Sequence, residues 1–124
     1  MANSDGHQTM ILIVEDIDWI RSGMKKAVER HGYRAVEATN DVEALEVPEL
    51  ASIKLIVTEE ELPSFNTLMA RLREHPTLSS VPVVIVNSDA EDGARHNDAY
   101  LLTDYSDIRS LLANLKVTRG SAQR

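Results

Sequence analysis

Short apolar runs and amphipathic segments alternate along the chain. Residues 10–14 form a short apolar run rich in β-branched residues and predict a strand buried on both faces, as in parallel sheets. Residues 53–57 and 81–86 predict further apolar strands, residues 33–38 are compatible with a second strand in the chain, and residues 100–102 predict a short fifth one. Apolar residues spaced by three or four predict helices, which cover residues 20–31, 42–47, 67–75 and 104–116. Asp16 or Asp18 could cap the first helix, and Gly32 suits its end. Residues 39–41 offer a cap for the second helix.

Strands that alternate with helices predict a doubly wound α/β fold. We expect a five-stranded parallel sheet covered by helices on both faces. Residues 89–97 are polar and predict only a short helix in the fourth position. Residues 10–116 form one domain in this prediction, between a flexible N-terminal arm at residues 1–9 and a flexible C-terminal tail at residues 117–124.

The composition of the chain argues against several classes of function. The 124 residues suit one domain, and the absence of cysteine excludes disulfides and thiolate metal sites. A net charge of −7 argues against binding to the nucleic-acid backbone, which needs clustered Lys and Arg. No apolar run approaches the roughly 18 residues that a membrane-spanning helix needs. We therefore expect a cytoplasmic protein that binds neither nucleic acid nor a membrane.

Polar residues follow most of the predicted strands, at the edge where parallel α/β sheets gather their functional groups. They are Glu15 and Asp16, Glu59 to Glu61, Asn87 and Ser88, and Thr103 and Asp104. No glycine-rich phosphate loop follows the first strand, and the chain has no serine nucleophile elbow. Nucleotide binding, flavin binding and acyl transfer are therefore not indicated, and no residue is predicted to be catalytic.

These positions resemble the receiver domains of two-component response regulators. The resemblance lies in the first, third, fourth and fifth strand motifs, at residues 11–16, 55–63, 82–88 and 100–104. It implies a flavodoxin-like receiver topology, here with a shortened fourth helix. In the family, an acidic pair after the first strand holds magnesium, and an aspartate after the third strand accepts a phosphoryl group. A Thr or Ser and a Lys contact that phosphoryl group.

Three of the family's working residues are replaced in this chain. Glu59 stands at the phosphoacceptor position, counted back from Pro63, while Asn87 replaces the Thr or Ser and Thr103 replaces the Lys. Glutamate is one methylene longer than aspartate, and a displacement of roughly an ångström can cost on the order of a hundredfold in rate. Losing the lysine removes the fixed cation that stabilises the transferring group. Tyr100 matches the aromatic position that swings on activation in the family.

The resemblance and the replacements together imply a pseudo-receiver, which is a phosphorylation-independent interaction module of two-component signalling and not an enzyme. The alternative is a metal-dependent phosphoacceptor that uses Glu59 in place of the usual aspartate. A third class is a small enzyme of the flavodoxin type, against which the missing phosphate loop argues.

Glu15, Asp16 and Glu59 form the predicted acidic pocket. Like charges raise at least one carboxyl pKa unless a cation joins them, and Mg²⁺ or Ca²⁺ could serve as that cation. The interpretation we favour somewhat is that Glu59 faces solvent or pairs with an arginine such as Arg95. A further hypothesis is that Glu59 imitates a phosphorylated aspartate.

The expected partner is a protein, either a signalling kinase or an output protein, and a homodimer is also plausible. The family's usual output face combines the fourth helix, the fifth strand and the last helix. In this chain that face carries Tyr100, Leu101, Tyr105 and Ile108. Trp19 lies off the apolar stripe of the first helix and suggests either an exposed anchor for a partner or, as we favour, a partly buried side chain.

Overall fold

The computed structural model of the chain describes residues 9–86, 95–96 and 99–102. Its strands are β1 (Met10–Val14), β2 (Arg34–Ala38), β3 (Ile53–Glu59), β4 (Val83–Val86), β5 (Arg95–His96) and β6 (Ala99–Leu102). Its helices are α1 (Asp18–Arg30), α2 (Asp41–Glu46) and α3 (Phe65–Glu74), and a 3₁₀ turn covers Leu50–Ser52. The predicted N-terminal arm, last helix and C-terminal tail lie outside the described residues.

The strands form one sheet in the order β2-β1-β3-β4-β6-β5. Pairing is parallel between β1 and β2, between β1 and β3, between β3 and β4, and between β4 and β6. The predicted five-stranded parallel sheet is therefore confirmed, with β6 as its fifth strand. The chain steps from β1 to β2 on one side and then returns to β3 on the other, so the strand order reverses between β1 and β3.

A short edge strand replaces part of the predicted fourth helix. Arg95–His96 forms β5, which pairs antiparallel with β6 through Arg95↔Tyr100 and His96↔Ala99. The prediction of a helix over residues 89–97 is therefore wrong at these two residues, because β6 offers them an unpaired backbone edge. Residues 97–98, which join the two strands, lie outside the described residues. Residues 87–94 lie outside the described residues.

The core has two layers, one on each face of the sheet. On one face α1 buries Met24 and Val28 against Ile11, Ile13 and their neighbours. On the other face α2 and α3 pack on β1, β3 and β4 through a second cluster that includes Leu12, Ile56, Leu68, Leu72 and Ile85. Full burial of such a side chain stabilises the fold by about 1.5–3 kcal/mol. Because side chains alternate along a strand, the continuous apolar run of β1 supplies both layers.

The start of α1 differs from the prediction. Ile17 occupies the N-cap position and no side chain caps the helix, so neither Asp16 nor Asp18 is the cap. Glu15 instead accepts the Ile17 N–H through Oε2 at 3.0 Å. At the other end, Gly32 adopts φ +85, a left-handed conformation that favours glycine, and its N–H donates to the Glu29 carbonyl at 3.1 Å.

The predicted cap of α2 is confirmed. Asn40 Oδ1 accepts the Glu43 N–H at 2.9 Å, and Glu43 Oε1 accepts the Thr39 N–H at 2.8 Å. This reciprocal arrangement satisfies two donors that the first turn of a helix otherwise leaves free. These hydrogen bonds hold the connection from β2 to α2, which lies beside the carboxyl end of β1.

Candidate functional site

Glu15 and Glu59 lie side by side where the strand order reverses, between β1 and β3. The register aligns Val14 with Thr58, so the next residues of the two strands, Glu15 and Glu59, are level with each other. Neighbouring strands run about 4.8 Å apart. In doubly wound sheets this reversal is where ligand sites form, at the carboxyl ends of the strands.

Backbone hydrogen bonds hold both residues in place. The Glu15 N–H donates to the Ala38 carbonyl at 3.0 Å, and the Leu62 N–H donates to the Glu59 carbonyl at 3.0 Å. Between them, the buried Thr58 hydroxyl donates to the Val14 carbonyl at 3.0 Å. The two carboxyl groups therefore stand on rigid strand ends.

The side chain of Glu15 is fully buried, with a relative exposure of 0%. Its Oε2 accepts the Ile17 N–H, whereas Oε1 is buried without a hydrogen-bond partner among the described residues. Burial raises the pKa of Glu15 from 4.5 to about 8; the Ile17 N–H opposes this rise, and the neighbouring Glu59 carboxyl adds to it. At neutral pH this site therefore favours one proton on Glu15.

Asp16 is the third member of the predicted acidic pocket. It interacts with Glu15, but its own side chain is exposed. Glu59 is half-buried, so it does not simply extend into solvent as one alternative supposed. The structure thus brings Glu15 together with each of the other two acids.

Magnesium is the ion that the resemblance implies for this site. No group of three or more His, Cys, Asp or Glu side chains within them is arranged to hold a metal ion. Magnesium demands near-octahedral oxygen coordination. Within the described residues the protein offers at most the carboxylates of Glu15, Glu59 and the exposed Asp16, so waters would have to complete the coordination of the ion.

The basic side chains that form ion pairs in the described residues are paired with acids other than Glu15 and Glu59. Ion pairs within the described residues join Arg21 to Asp18, Arg21 to Glu37, Lys25 to Glu37 and Arg71 to Asp41. Arg21 also donates from Nη1 to the Glu15 backbone carbonyl at 2.9 Å, not to the carboxylate. Within this part of the chain, Glu15 and Glu59 therefore face each other without a lysine or arginine between them.

The strand order argues against the predicted pairing of Glu59 with Arg95. β5 is three strands away from β3 in the sheet, which is about 14 Å at the usual strand spacing. The strand register also separates the two residues. Arg95 pairs with Tyr100, which pairs with Val84, which in turn pairs with Val57. The backbone of Arg95 is therefore level with Val57, two residues before Glu59 in β3.

Several predicted site residues are placed by their backbone alone or not at all. Tyr100 and Leu101 lie in β6, opposite Val84 and Ile85 of β4. Asn87, Thr103, Tyr105 and Ile108 lie outside the described residues. The roles of these six residues as switch positions and interface candidates stay predictions.

In the part of the chain whose burial is described, three large apolar side chains near the carboxyl edge of the sheet are exposed, and the sequence interpretation missed two of them. The exposed fractions are 41% for Ile17, 70% for Trp19 and 52% for Val42. The favoured interpretation of Trp19 as partly buried is therefore wrong. The sequence signal for the exposure of Trp19 is its position off the apolar stripe of α1. Helical periodicity gives no such signal for Ile17, because this residue precedes the helix.

The sheet order and the paired acids at the reversal define a receiver-type α/β domain. The family model described as the response regulator receiver domain matches residues 11–102. This match covers most of the chain, so the chain belongs to the response regulator receiver family. No helix in the described part of the chain is long and apolar enough to cross a membrane.

Similar proteins come from both sequence and structure comparison. Sensor kinase CckA of Brucella abortus (strain 2308) is 34% identical over 92 residues, which are 70% of this chain and only 9% of that protein. The receiver domain of the hybrid histidine kinase CckA superposes with a TM-score of 0.68 at 26% identity, covering 86% of this chain and 95% of that one. The Vibrio cholerae chemotaxis protein CheY4 has a TM-score of 0.72 at 18% identity, covering 88% and 97%, and supports the fold alone.

Proposed function

We propose that this receiver domain is a pseudo-receiver, an interaction module of two-component signalling that works without being phosphorylated. The observation that carries the proposal is that Glu59, at the family's phosphoacceptor position, lies against the buried carboxyl group of Glu15 with no ion pair from a lysine or arginine of the described residues to either acid. Phosphoryl transfer depends on positioning and on cations that stabilise the transferring group. The acceptor position of this chain faces another acid.

Charge makes a phosphoryl group costly at this position. A phosphoryl group adds a charge of about −1.5 to −2 near neutral pH. Among the described residues no group donates a hydrogen bond to the buried Glu15 Oε1, and no lysine or arginine forms an ion pair with Glu15 or Glu59. The residue at the family's lysine position is Thr103, which has no positive charge to contribute.

The hypothesis that Glu59 imitates a phosphorylated aspartate has less support. Such a mimic needs hydrogen-bond donors around its oxygens, as a phosphoryl group does. Glu59 lies against Glu15 instead. We therefore assign the pair to recognition rather than to a permanently activated state.

The partner in this proposal is a protein of the same signalling pathway, either a kinase or an output protein, in the cytoplasm. The comparison with Sensor kinase CckA fits this class of partner, although the chain spans only about a tenth of that relative's length. Binding is the whole activity, and no reaction is turned over.

Incubation with a small phosphoryl donor and magnesium tests the proposal. Intact-mass measurement should give the same mass before and after incubation for the parent chain and for Glu59→Gln. A stable gain of one phosphoryl group in the parent that is absent from Glu59→Gln would overturn the proposal in favour of a metal-dependent phosphoacceptor.

A further inference from the structure

A cavity of about 330 Å³ lies at the amino edge of the sheet, opposite the edge that carries the paired acids. The amino ends of three neighbouring strands line it, with Ile11 of β1, residues 53–55 of β3 and residues 81–82 directly before β4. Its volume falls within the range of pockets that bind small molecules, at the lower end. The cavity is therefore a second candidate site, separate from the receiver site.

Buried apolar side chains form the inner wall of the cavity. Ile11, Tyr33 and Leu55 line it, are at most 9% exposed and belong to the core layer on the α1 face. Ile53, which is 2% exposed and also lines the cavity, belongs to the core layer on the other face. The cavity therefore reaches the edge of the packed core, and an apolar group placed there would be removed from water.

The turn before β4 builds one side of the cavity and is held by hydrogen bonds. His75 Nδ1 accepts the N–H groups of Thr77 and Leu78 at 3.0 and 3.1 Å. The Val81 N–H donates to the Leu78 carbonyl at 3.0 Å, and the Pro82 carbonyl accepts an N–H of β3 at 3.0 Å. Thr77, Val81 and Pro82 line the cavity. This side is therefore formed before a ligand binds, which lowers the entropic cost of binding.

The charge of the cavity lining is opposite to the charge of the chain. Lys54 is the one charged side chain among the described residues that line the cavity, whereas the whole chain has a net charge of −7. None of the ion pairs within the described residues involves Lys54. Thr9, Thr77 and Ser80 also line the cavity, and their hydroxyl groups can donate to an anion. This lining suits a negatively charged head group.

We propose that this cavity binds a small molecule with an apolar body and one carboxylate group. The apolar body packs against Ile11, Tyr33 and Leu55, and the carboxylate accepts N–H donors from Lys54, whose side chain is exposed. The stem of a lysine can lie along an apolar surface while its head group reaches an anion. The site is separate from the paired acids, so this inference goes beyond the proposed function and does not depend on it.

A metal ion and a small inorganic anion each match only part of this cavity or none of it. A metal ion needs carboxylate, imidazole or thiolate ligands, and the described residues of the lining include no Asp, Glu, His or Cys. Inorganic phosphate would pair with Lys54 but would leave the apolar wall uncovered. An apolar carboxylate uses both features of the lining.

NMR titration of the full chain tests the proposal, because backbone amide shifts report both the affinity and the place of binding. The probe is octanoate. Its matched controls are octan-1-ol, which is neutral, octylammonium, which is positive, and acetate, which has the head group alone. Lys54→Gln removes the positive charge from the lining, and Lys26→Gln, at an exposed site on α1, is the control with the same change of net charge.

Octanoate should give saturable amide shifts centred on residues 53–55 and 77–81. Its affinity should exceed the affinity of each of the three control compounds. The affinity for octanoate should fall about fivefold in Lys54→Gln, as expected for the loss of an exposed ion pair, and should be unchanged in Lys26→Gln. Added sodium chloride should weaken binding to the parent more than binding to Lys54→Gln.

A second pair of variants blocks the cavity by size. Ala51 lines the cavity and is exposed, so Ala51→Phe should abolish the octanoate shifts while the unliganded chain keeps its stability. Ala70→Phe, at an exposed site on α3, is the matched control and should bind octanoate as the parent does. Urea unfolding without ligand compares the two variants. A larger loss of stability in Ala51→Phe would overturn the proposal, because the space would then be filled by the chain itself.

Four results of the titration would also overturn the proposal. They are no saturable octanoate shifts at residues 53–55 and 77–81, shifts centred on Glu15 and Glu59 instead, equal affinity for octan-1-ol or octylammonium, and equal affinity of Lys54→Gln and the parent. Shifts at the same residues that depend on the concentration of the chain alone would favour a second copy as the occupant and overturn it as well. None of these results involves a phosphoryl donor, so failure here is distinguishable from failure of the proposed function.

Discussion

Burial of Glu15 changes how this carboxyl group affects stability across the pH range. Its pKa is about 8 in the folded chain and about 4.5 when exposed. Between these values the folded state holds a proton that the unfolded state releases, so the free energy of unfolding falls as pH rises. The contribution is fully present below about 4.5 and is lost above about 8.

Glu15→Gln should remove this pH dependence while keeping the size of the side chain. We expect the variant to exceed the parent in stability at pH 8 by about 1–3 kcal/mol, and to match it more closely at pH 4.5. Urea unfolding of both chains at each pH measures the difference. Glu29→Gln, at an exposed site, should follow the parent throughout. A parent that gains stability relative to Glu15→Gln as pH rises would contradict this account.

The hydroxyl of Thr58 links β3 to β1 directly below the paired acids. It is buried and donates to the Val14 carbonyl at 3.0 Å. Thr58→Val should cost about 1 kcal/mol, because the carbonyl loses a buried donor. Thr67→Val on the exposed side of α3 is the matched control and should change stability by less than about 0.5 kcal/mol. Equal unfolding midpoints in denaturant for the two variants would show that the buried hydroxyl is unimportant.

At the scale of elements, strands were more predictable than helix ends. β1, β3 and β4 are continuous apolar runs, and a parallel sheet buries such runs on both faces. The two-residue β5 has no apolar pattern, since it is held by backbone pairing at the free edge of β6. The start of α1 was predicted wrongly: the sequence indicated a cap by Asp16 or Asp18, whereas the N-cap residue is Ile17, which has no capping side chain and donates its own N–H to Glu15.

The cap of α2 gives a prediction at this scale. Asn40→Ala should destabilise the chain by about 1 kcal/mol, because the Glu43 N–H loses its acceptor. Asn66→Ala, an exposed asparagine inside α3 rather than at its cap, should stay within about 0.5 kcal/mol of the parent. Thermal or urea unfolding checks both, and an equal loss in the two variants would argue against the capping role.

At the scale of the whole molecule, the topology decides which acids meet. Strand order and register place Glu15 beside Glu59, and this followed from the alternation of strands and helices together with the polar residues at the strand ends. The sequence could not reveal that Glu15 Oε1 is buried with no donor from the described residues, because that depends on packing around β1. The position of Trp19 off the apolar stripe of α1 indicated its exposure, but periodicity alone does not show whether another element covers that side of the helix.

The most direct test of the central claim is to restore the family's residues at the replaced positions. The triple variant Glu59→Asp, Asn87→Thr and Thr103→Lys regains the shorter acceptor, the hydroxyl and the cation, and it is compared with the parent by intact mass after incubation with a small phosphoryl donor and magnesium. The account predicts a phosphoryl group on the triple variant and none on the parent. A parent chain that gains the phosphoryl group as readily as the triple variant would contradict it.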